Sequence, residues 1–386
     1  MKIWNFIIFI AIVFAIYFAV NFYVYKRGMQ AMPAGSPFKT YYVILFVLFA
    51  SSFWIGRILE RFYLSTISEI FVWIGAFWLA YIAYLVLGAL LLDILRLANH
   101  FAGFFLAFVT RDYAKTKFYT AIGIFAISTI VIFLGFLNAR NPKIKTLELT
   151  MPKKSSSLKE LNITMASDIH MGTIISNGWI KKIVSGINST NPDIILLPGD
   201  IIDEDLAPVI KKNMGEELKG LKAKYGVYGI TGNHEYIGGA AAAVKYLEEH
   251  NIKVIRDSAV TIENDFVIIG REDRSINQFS GRTRKTLAEI MKGVDKTLPN
   301  ISMDHQPFDL QEAQNNGVDL QLSGHTHHGQ LFPFNFITKM IYEVSWGYKQ
   351  KGNTQYYVSC GVGGWGPPVR TGSAPEIVNI KIKFVE

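Results

Sequence analysis

Hydrophobic and polar positions divide this chain into two regions with different patterns. Before Asn141, four apolar stretches, residues 3–25, 38–58, 67–92 and 118–137, carry hardly a charge. A helix needs about 20 apolar residues to cross a bilayer core, so each stretch predicts a membrane-spanning helix. The alternative for each is a buried core helix, and four nearly charge-free runs argue against it. Trp4, Tyr23, Tyr25, Tyr41, Tyr42 and Tyr119 sit near the ends of the runs, where an aromatic belt would place them. A fifth run, residues 97–109, is too short to span and predicts an interfacial or re-entrant helix. The first run is not read as a cleaved signal peptide, because Lys2 is its only basic lead and no small-x-small site ends it.

From residue 141 the pattern changes. Residues 141–160 are rich in Pro, Lys and Ser and read as a linker or a first edge strand. Beyond them, short apolar runs alternate with helical periodicity. "LNITMAS", "DIILLPG", "VYGITG" and "IKVI" read as strands; "GWIKKIVSGINST", "EELKGLKAKYG" and "AAAVKYLEEH" read as helices. "VTIENDFVIIG" predicts a hairpin turning at Asn264-Asp265. "ISMDH", "VDLQLSGH", "TQYYVSC" and "EIVNIKIKFV" add late strands, with a helix near Gln311. Such alternation predicts a layered α/β fold. The expected organisation is a helical membrane region at 1–140, a linker at 141–160 and an α/β domain at 161–386.

The 386 residues carry a net charge of +8. Much of it flanks the apolar runs, at Lys26, Arg27, Arg140, Lys143, Lys145, Lys153 and Lys154, and reads as headgroup contacts and topology signals. No basic stripe with interleaved aromatics supports a nucleic-acid partner. The single cysteine, Cys360, excludes an internal disulfide. The loops that carry Lys26, Arg27, Lys39, Arg96, Arg111, Lys115 and Lys117 are the more basic short loops. By the positive-inside bias they lie in the cytoplasm, with the C-terminal domain on the outer face of the plasma membrane.

The chemistry gathers where strands end. Asp168 and His170 follow the first predicted strand of the α/β region, Asp200 the second, and Asn233, His234 and Glu235 the third; His305 follows "ISMD", and His325 and His327 follow "VDLQLSG". Ligands bind outside the carboxyl ends of strands in open α/β sheets. Imidazole and carboxylate donors without cysteine suit borderline divalent ions such as Mn, Fe or Zn. Singly, each residue has an ordinary reading: a cap, a turn residue or a buried donor. Together they predict a two-metal site in which one Asp bridges the ions.

The ordered motifs "D168-I-H170", "G199-D200", "G232-N233-H234-E235", "H305" and "G324-H325-T326-H327" resemble the calcineurin-like metallophosphoesterase superfamily over residues 161–386. The apolar N-terminal region and the late "GVGGWGPPVRTGSAPEI" look like the bacterial membrane-anchored YkuE and YaeI types. The resemblance implies a binuclear-metal phosphoesterase acting on a phosphodiester or phosphomonoester by attack of a metal-bound hydroxide. It assigns Asp168, His170 and His327 to one ion, Asp200 to both, and Asn233, His305 and His325 to the other. His234 would protonate the leaving oxygen, with Glu235 behind it. His328 departs from the usual Gly-Gly-Gln and is expected to face solvent.

Arg370 is the expected phosphate contact, whereas Arg271, Arg274, Arg282 and Arg284 read as solvated. Trp346, Trp365, Phe332 and Phe334 lie on loops expected near the site, where they would accept an acyl chain or a base, or pack against the membrane region. A membrane anchor points to membrane lipids as neighbours and to a lipid-linked substrate. The rival readings are a non-catalytic membrane scaffold or sensor that keeps the fold, and a transporter with a hydrolase attached. Intact Asp200, Asn233 and His234 weigh against the scaffold.

Overall fold

A computed structural model of the chain describes residues 3–385. The chain forms two compact units, one built on Met1–Phe136 and the other on Leu137–Trp365 with Arg370–Glu386.

The first unit is helical: α1 (Ile3–Ala31), α2 (Phe38–Phe62), α3 (Thr66–Ala102), α4 (Ala107–Arg111) and α5 (Tyr113–Ala139). Helices α2, α3 and α5 are long and apolar enough to cross a membrane. The 29-residue α1 covers the first apolar stretch. The run at 97–109 is not a helix of its own: its first half is the end of α3, Gly103 stops that helix in a left-handed cap, and α4 begins afresh at Ala107. Between apolar helices the glue is close packing and polar bridges. A Cβ on Gly75 would sit 2.4 Å from Phe53 Cα, so only glycine lets α3 approach α2 there. Trp78 Nε1 donates to Asn21 Oδ1 at 2.9 Å, and Tyr17 donates to the Ala50 carbonyl at 2.6 Å, linking α1 to α3 and α2.

Among the described residues the second unit holds twelve strands: β1 (Lys143–Pro152), β2 (Glu160–Met165), β3 (Ile194–Pro198), β4 (Val227–Ile230), β5 (Ile252–Val254), β6 (Ser258–Ile262), β7 (Phe266–Gly270), β8 (Asn300–Met303), β9 (Leu320–Ser323), β10 (Gly347–Lys351), β11 (Thr354–Val358) and β12 (Glu376–Val385). They form two six-stranded sheets, ordered β1-β12-β2-β3-β4-β5 and β10-β11-β9-β8-β7-β6. The segment read as a linker or edge strand contains β1, which pairs in parallel with β12 over its whole length. Strands β2 to β5 are mutually parallel, as are β7, β8, β9 and β11.

Side chains alternate across each strand. Ile163, Met165, Leu196 and Ile230 of the first sheet meet Phe266, Ile268, Met303 and Leu322 of the second in one core. Val267 and Ile269 point the other way, onto the helix Leu287–Met291. Helix α6 (Asn177–Asn188) buries Trp179, Ile180, Ile183 and Ile187, an i, i+3/i+4 stripe. The architecture is therefore a two-sheet α/β sandwich with helices outside.

Two local expectations change. Of "EELKGLKAKYG", only Glu216, Glu217 and Leu218 are helical, as the end of a short helix Gly215–Leu218. Beyond it, the Asn188 amide donates to the Gly220 carbonyl and accepts from Lys222 N–H, holding the backbone in a tertiary bracket in place of helix bonds. The β6–β7 hairpin registers Ile262 with Phe266, so its turn is Glu263-Asn264-Asp265, one residue longer than expected. Strand β10, "GYKQK", had no apolar alternation to mark it.

Phe266 is wholly buried and meets Tyr225 edge-on at 5.6 Å, at the start of β7 and so away from the carboxyl ends of the strands. Phe266→Ala is expected to cost about 3–5 kcal/mol of stability, read by chemical unfolding of the full-length chain, while its metal content stays unchanged.

Candidate metal centre

Each expected donor leaves its strand on a short, sharply bent loop. Asp168, His170, Asp200, His325 and His327 all hold positive φ, between 46° and 72°. Residues with a Cβ rarely adopt that conformation, and such strain collects at functional sites. The bends turn the side chains inward across the edge where both sheets end. Gly324 makes the crossing possible: a Cβ there would lie 1.8 Å from Ser167 Oγ and 2.3 Å from Asp168 Oδ2.

Two donor groups result. Asp168, His170 and His327 form one, and Asp200, His305 and His325 the other. In the first, His170 Nε2 lies 3.1 Å from His327 Nε2, and His327 Nε2 lies 3.5 Å from Asp168 Oδ1. In the second, His305 Nε2 lies 3.0 Å from Asp200 Oδ2 and 3.2 Å from Asn233 Oδ1; that same amide oxygen is 2.8 Å from His325 Nδ1. Asp200 Oδ2 also stands 3.8 Å from His170 Nε2, so one oxygen faces both groups. Asp168, His170, Asp200 and His305 are buried, while Asn233, His325 and His327 are partly open.

The donor chemistry fits a cation. His305 Nδ1 sits 2.7 Å from the Pro198 carbonyl, which can only accept. The neutral ring therefore carries its proton on Nδ1, and Nε2 presents a lone pair to two oxygen acceptors. Three electron-rich atoms converge with no hydrogen among them, and either a metal ion or an extra proton relieves that. Burial pushes His305 down, but Asp200 outweighs it and holds the ring well above the usual imidazole range. Burial, then His305, push His325 down to about 3. Burial, then His170 and Arg370, push His327 well down, so both keep lone pairs to offer a cation. Asp200 resists burial through His305 and His234 and stays well below the ordinary carboxylate range.

His234 faces the first group, its ring edge-on to His170 at 4.5 Å. Burial lowers it, but Asp200 and Asp203 raise it further, to about 9. Asp203 Oδ1 lies 3.1 Å from His234 Nδ1 and 3.6 Å from His170 Nδ1, so these three also gather as a possible ligand set. Sequence reading passed Asp203 over; its signal was a second carboxylate three residues after Asp200 in "GDIID".

Several expected positions differ. Glu235 does not orient His234; its buried carboxylate accepts from the N–H groups of Asp200, Ile201, Ile202 and Gly232. His328 is buried, not solvated, with Nδ1 3.0 Å from Ser345 Oγ and its ring on Trp346. Arg370, expected at the phosphate, is 1% exposed. Its donors serve Gly363 O, Cys360 O and Ser373 Oγ, and Nη2 stands 3.3 Å behind His327 Nδ1. Arg271 and Arg284 are not solvated either: both pair with Asp304, and Arg271 also with Glu312. Arg274 donates to the Phe308 carbonyl, and Arg282 is exposed. Trp365 is half exposed, 6.1 Å from His234, and Phe332 is exposed. Cys360 is buried with its thiol pushed up by burial, unsuited to nucleophilic work.

A two-sheet sandwich with Asp, Asn and His side chains gathered at its strand ends has the makings of a cation-binding hydrolase, and the relatives of the chain say which class. Residues 161–329 match the calcineurin-like phosphoesterase family. A metallophosphoesterase of Campylobacter jejuni, itself uncharacterised, is 30% identical over 98% of this chain and 99% of its own. The chain belongs to the calcineurin-like metallophosphoesterases, hydrolases of phosphoric esters. A Helicobacter pylori relative, also named only as an uncharacterised metallophosphoesterase, is 31% identical, and the match spans 62% of this chain and 64% of that one. A zebrafish (Danio rerio) protein named as a transmembrane protein with a metallophosphoesterase domain is 29% identical over 67% of this chain and 61% of its own. Among solved structures, a 5'-nucleotidase precursor from Thermus thermophilus aligns at 14% identity over 58% of this chain and 54% of that one, with a TM-score of 0.37.

Gly324→Ala is expected to displace Asp168 and lower the divalent metal retained per chain at least severalfold, measured by elemental analysis of the purified protein.

Proposed function

We propose that this chain is a membrane-held phosphoesterase that hydrolyses a phosphodiester or phosphomonoester with two divalent cations, drawn from Mn, Fe and Zn. The observation that carries the reading is Asp200 Oδ2, which faces His170 on one side and His305 on the other. A shared carboxylate oxygen between two donor groups is what a paired-ion site requires. Asp168, His170 and His327 would hold one ion, Asn233, His305 and His325 the second, and Asp200 both. Ions bound there would neutralise the phosphoryl oxygens and activate the attacking water.

The protein's own groups do the rest. Asp203 faces His234 Nδ1, which leaves Nε2 to give its proton to the departing oxygen. The same Asp203 oxygen stands behind His170 and so steadies a ligand and the acid together. Arg370 acts through His327, keeping that ring neutral and ready to ligate. Glu235 fixes the main chain around Asp200.

In this reading residues 1–140 hold the chain in the plasma membrane in four passes, 141–160 join the units, and 161–386 carry the chemistry on the outer face. A lipid-linked ester suits the surroundings. The helix Asn335–Ile341 follows the turn that carries His327 and buries none of its residues. Phe336, Ile337, Met340 and Ile341 on it are exposed, as is Phe332 before it. An exposed apolar helix near a phosphoester site gives an acyl chain somewhere to lie.

The full-length protein is expected to hydrolyse bis-p-nitrophenyl phosphate or the corresponding monoester with Mn²⁺, to stop on chelation, and to lose turnover in Asp200→Asn. Activity that survives both treatments would overturn the reading. His234→Asn is expected to lower kcat by about 10²–10⁴-fold with metal content retained, which separates a proton donor from a ligand.

A further inference from the structure

Helices α1, α2, α3 and α5 enclose a groove of about 1110 Å³. Its walls are apolar and aromatic, with Phe46, Trp78, Leu85 and Phe125 among them. One end differs. Arg27 from late α1, Arg96 from late α3 and Lys117 from early α5 line it together.

The cations at this mouth outnumber the carboxylate that meets them. Arg27 pairs with Asp93, and Arg96 Nη1 lies 3.2 Å from the other Asp93 oxygen. Tyr23 donates to Asp93 Oδ2 at 2.7 Å, so the carboxylate is fully engaged. The Tyr113 ring lies under both Arg96, at 6.0 Å, and Lys117 Nζ, at 5.2 Å, and holds the two cations side by side. Arg27, Arg96 and Lys117 against Asp93 leave an excess of two positive charges at the mouth of an apolar groove. The Arg27 and Arg96 side chains remain about a third open, at 37% and 31% exposure.

Length matches as well as charge. From Tyr113 to Phe125, both lining the groove, α5 rises about 18 Å at 1.5 Å per residue. Half of a hydrocarbon core about 30 Å thick is about 15 Å. A headgroup at the cations would therefore lay its acyl chain down the groove within one leaflet. Arginine presents paired N–H donors that suit phosphate oxygens.

We infer that this groove binds one anionic phospholipid, its phosphate between Arg27, Arg96 and Lys117 and an acyl chain along Phe46, Trp78 and Phe125. The site lies in the helical unit and is independent of the phosphoesterase reading. A zwitterionic lipid brings the same phosphate, but its ammonium group meets the excess positive charge. An anionic headgroup is therefore preferred.

The test is native mass spectrometry of the full-length protein, delipidated in mild detergent and titrated with phosphatidylglycerol or phosphatidylcholine. One phosphatidylglycerol per chain is expected to persist, with about tenfold preference over phosphatidylcholine, equivalent to about 1.4 kcal/mol. Lys117→Gln, which breaks no ion pair with Asp93, is expected to cut that preference severalfold, and Ala121→Trp, which fills the groove, to abolish retention of the bound lipid. Equal retention of the two lipids, or retention unchanged in both variants, would overturn the proposal and leave only lipid coating the helices.

Discussion

The Glu235 carboxylate accepts hydrogen bonds from four main-chain N–H groups, those of Asp200, Ile201, Ile202 and Gly232. It thereby ties the loop after β3 to the loop after β4 at the point where both sheets end. Burial raises Glu235, with Asp200 adding to the rise, while the amides that it accepts from pull it back down. Together with the His170 N–H on the Asp200 carbonyl and the His234 N–H on Asp200 Oδ1, this tie holds the left-handed bend that stands Asp200 between the two donor groups. The spacing of the two donor groups thus leans on a residue that belongs to neither of them. A buried carboxylate with its lone pairs filled by amides is stable in place and costly to leave half satisfied.

Around that tie, strain is concentrated and its support is broad. Five donors hold backbone conformations that side-chain-bearing residues avoid, yet strands β3, β4, β8 and β9 beneath them are buried along their whole length. The facing core of Ile163, Met165, Leu196, Phe266, Ile268 and Met303 fixes where each strand stops. A second rigid feature backs the His305 loop: Asp304 is buried between Arg271 and Arg284. Charges that looked like surface decoration in the sequence are part of the frame.

The placement of these polar residues and the strand order were legible because each such residue follows an apolar run directly. Asp168, Asp200, Asn233, His305 and His325 needed only that reading to be placed at the carboxyl ends of strands. What stayed hidden was anything decided by tertiary hydrogen bonds or by burial of a polar side chain. Asn188 replaces the expected helix after Leu218 with a bracket. His328 and Arg370 are polar by type and buried by context, and no local periodicity distinguishes a buried arginine from a solvated one. Asp203 was missed because a carboxylate in an acidic loop looks like solubility until the fold sets it behind two imidazoles.

Strand β12 lies between β1 and β2, parallel to the first and antiparallel to the second. On the ribosome, β1 and β2 emerge long before β12 exists, so neither has its final neighbour during most of synthesis. Among the described residues β1 has no other partner in its sheet and must wait as an open edge. The loops after β2, β3 and β4 can form early, but the sheet that anchors them closes only when β12 arrives. Completion of the sheet under the candidate site is therefore timed by the late strand: a chain stalled before Glu376 would carry Asp168 through His327 and still lack the finished sheet beneath them.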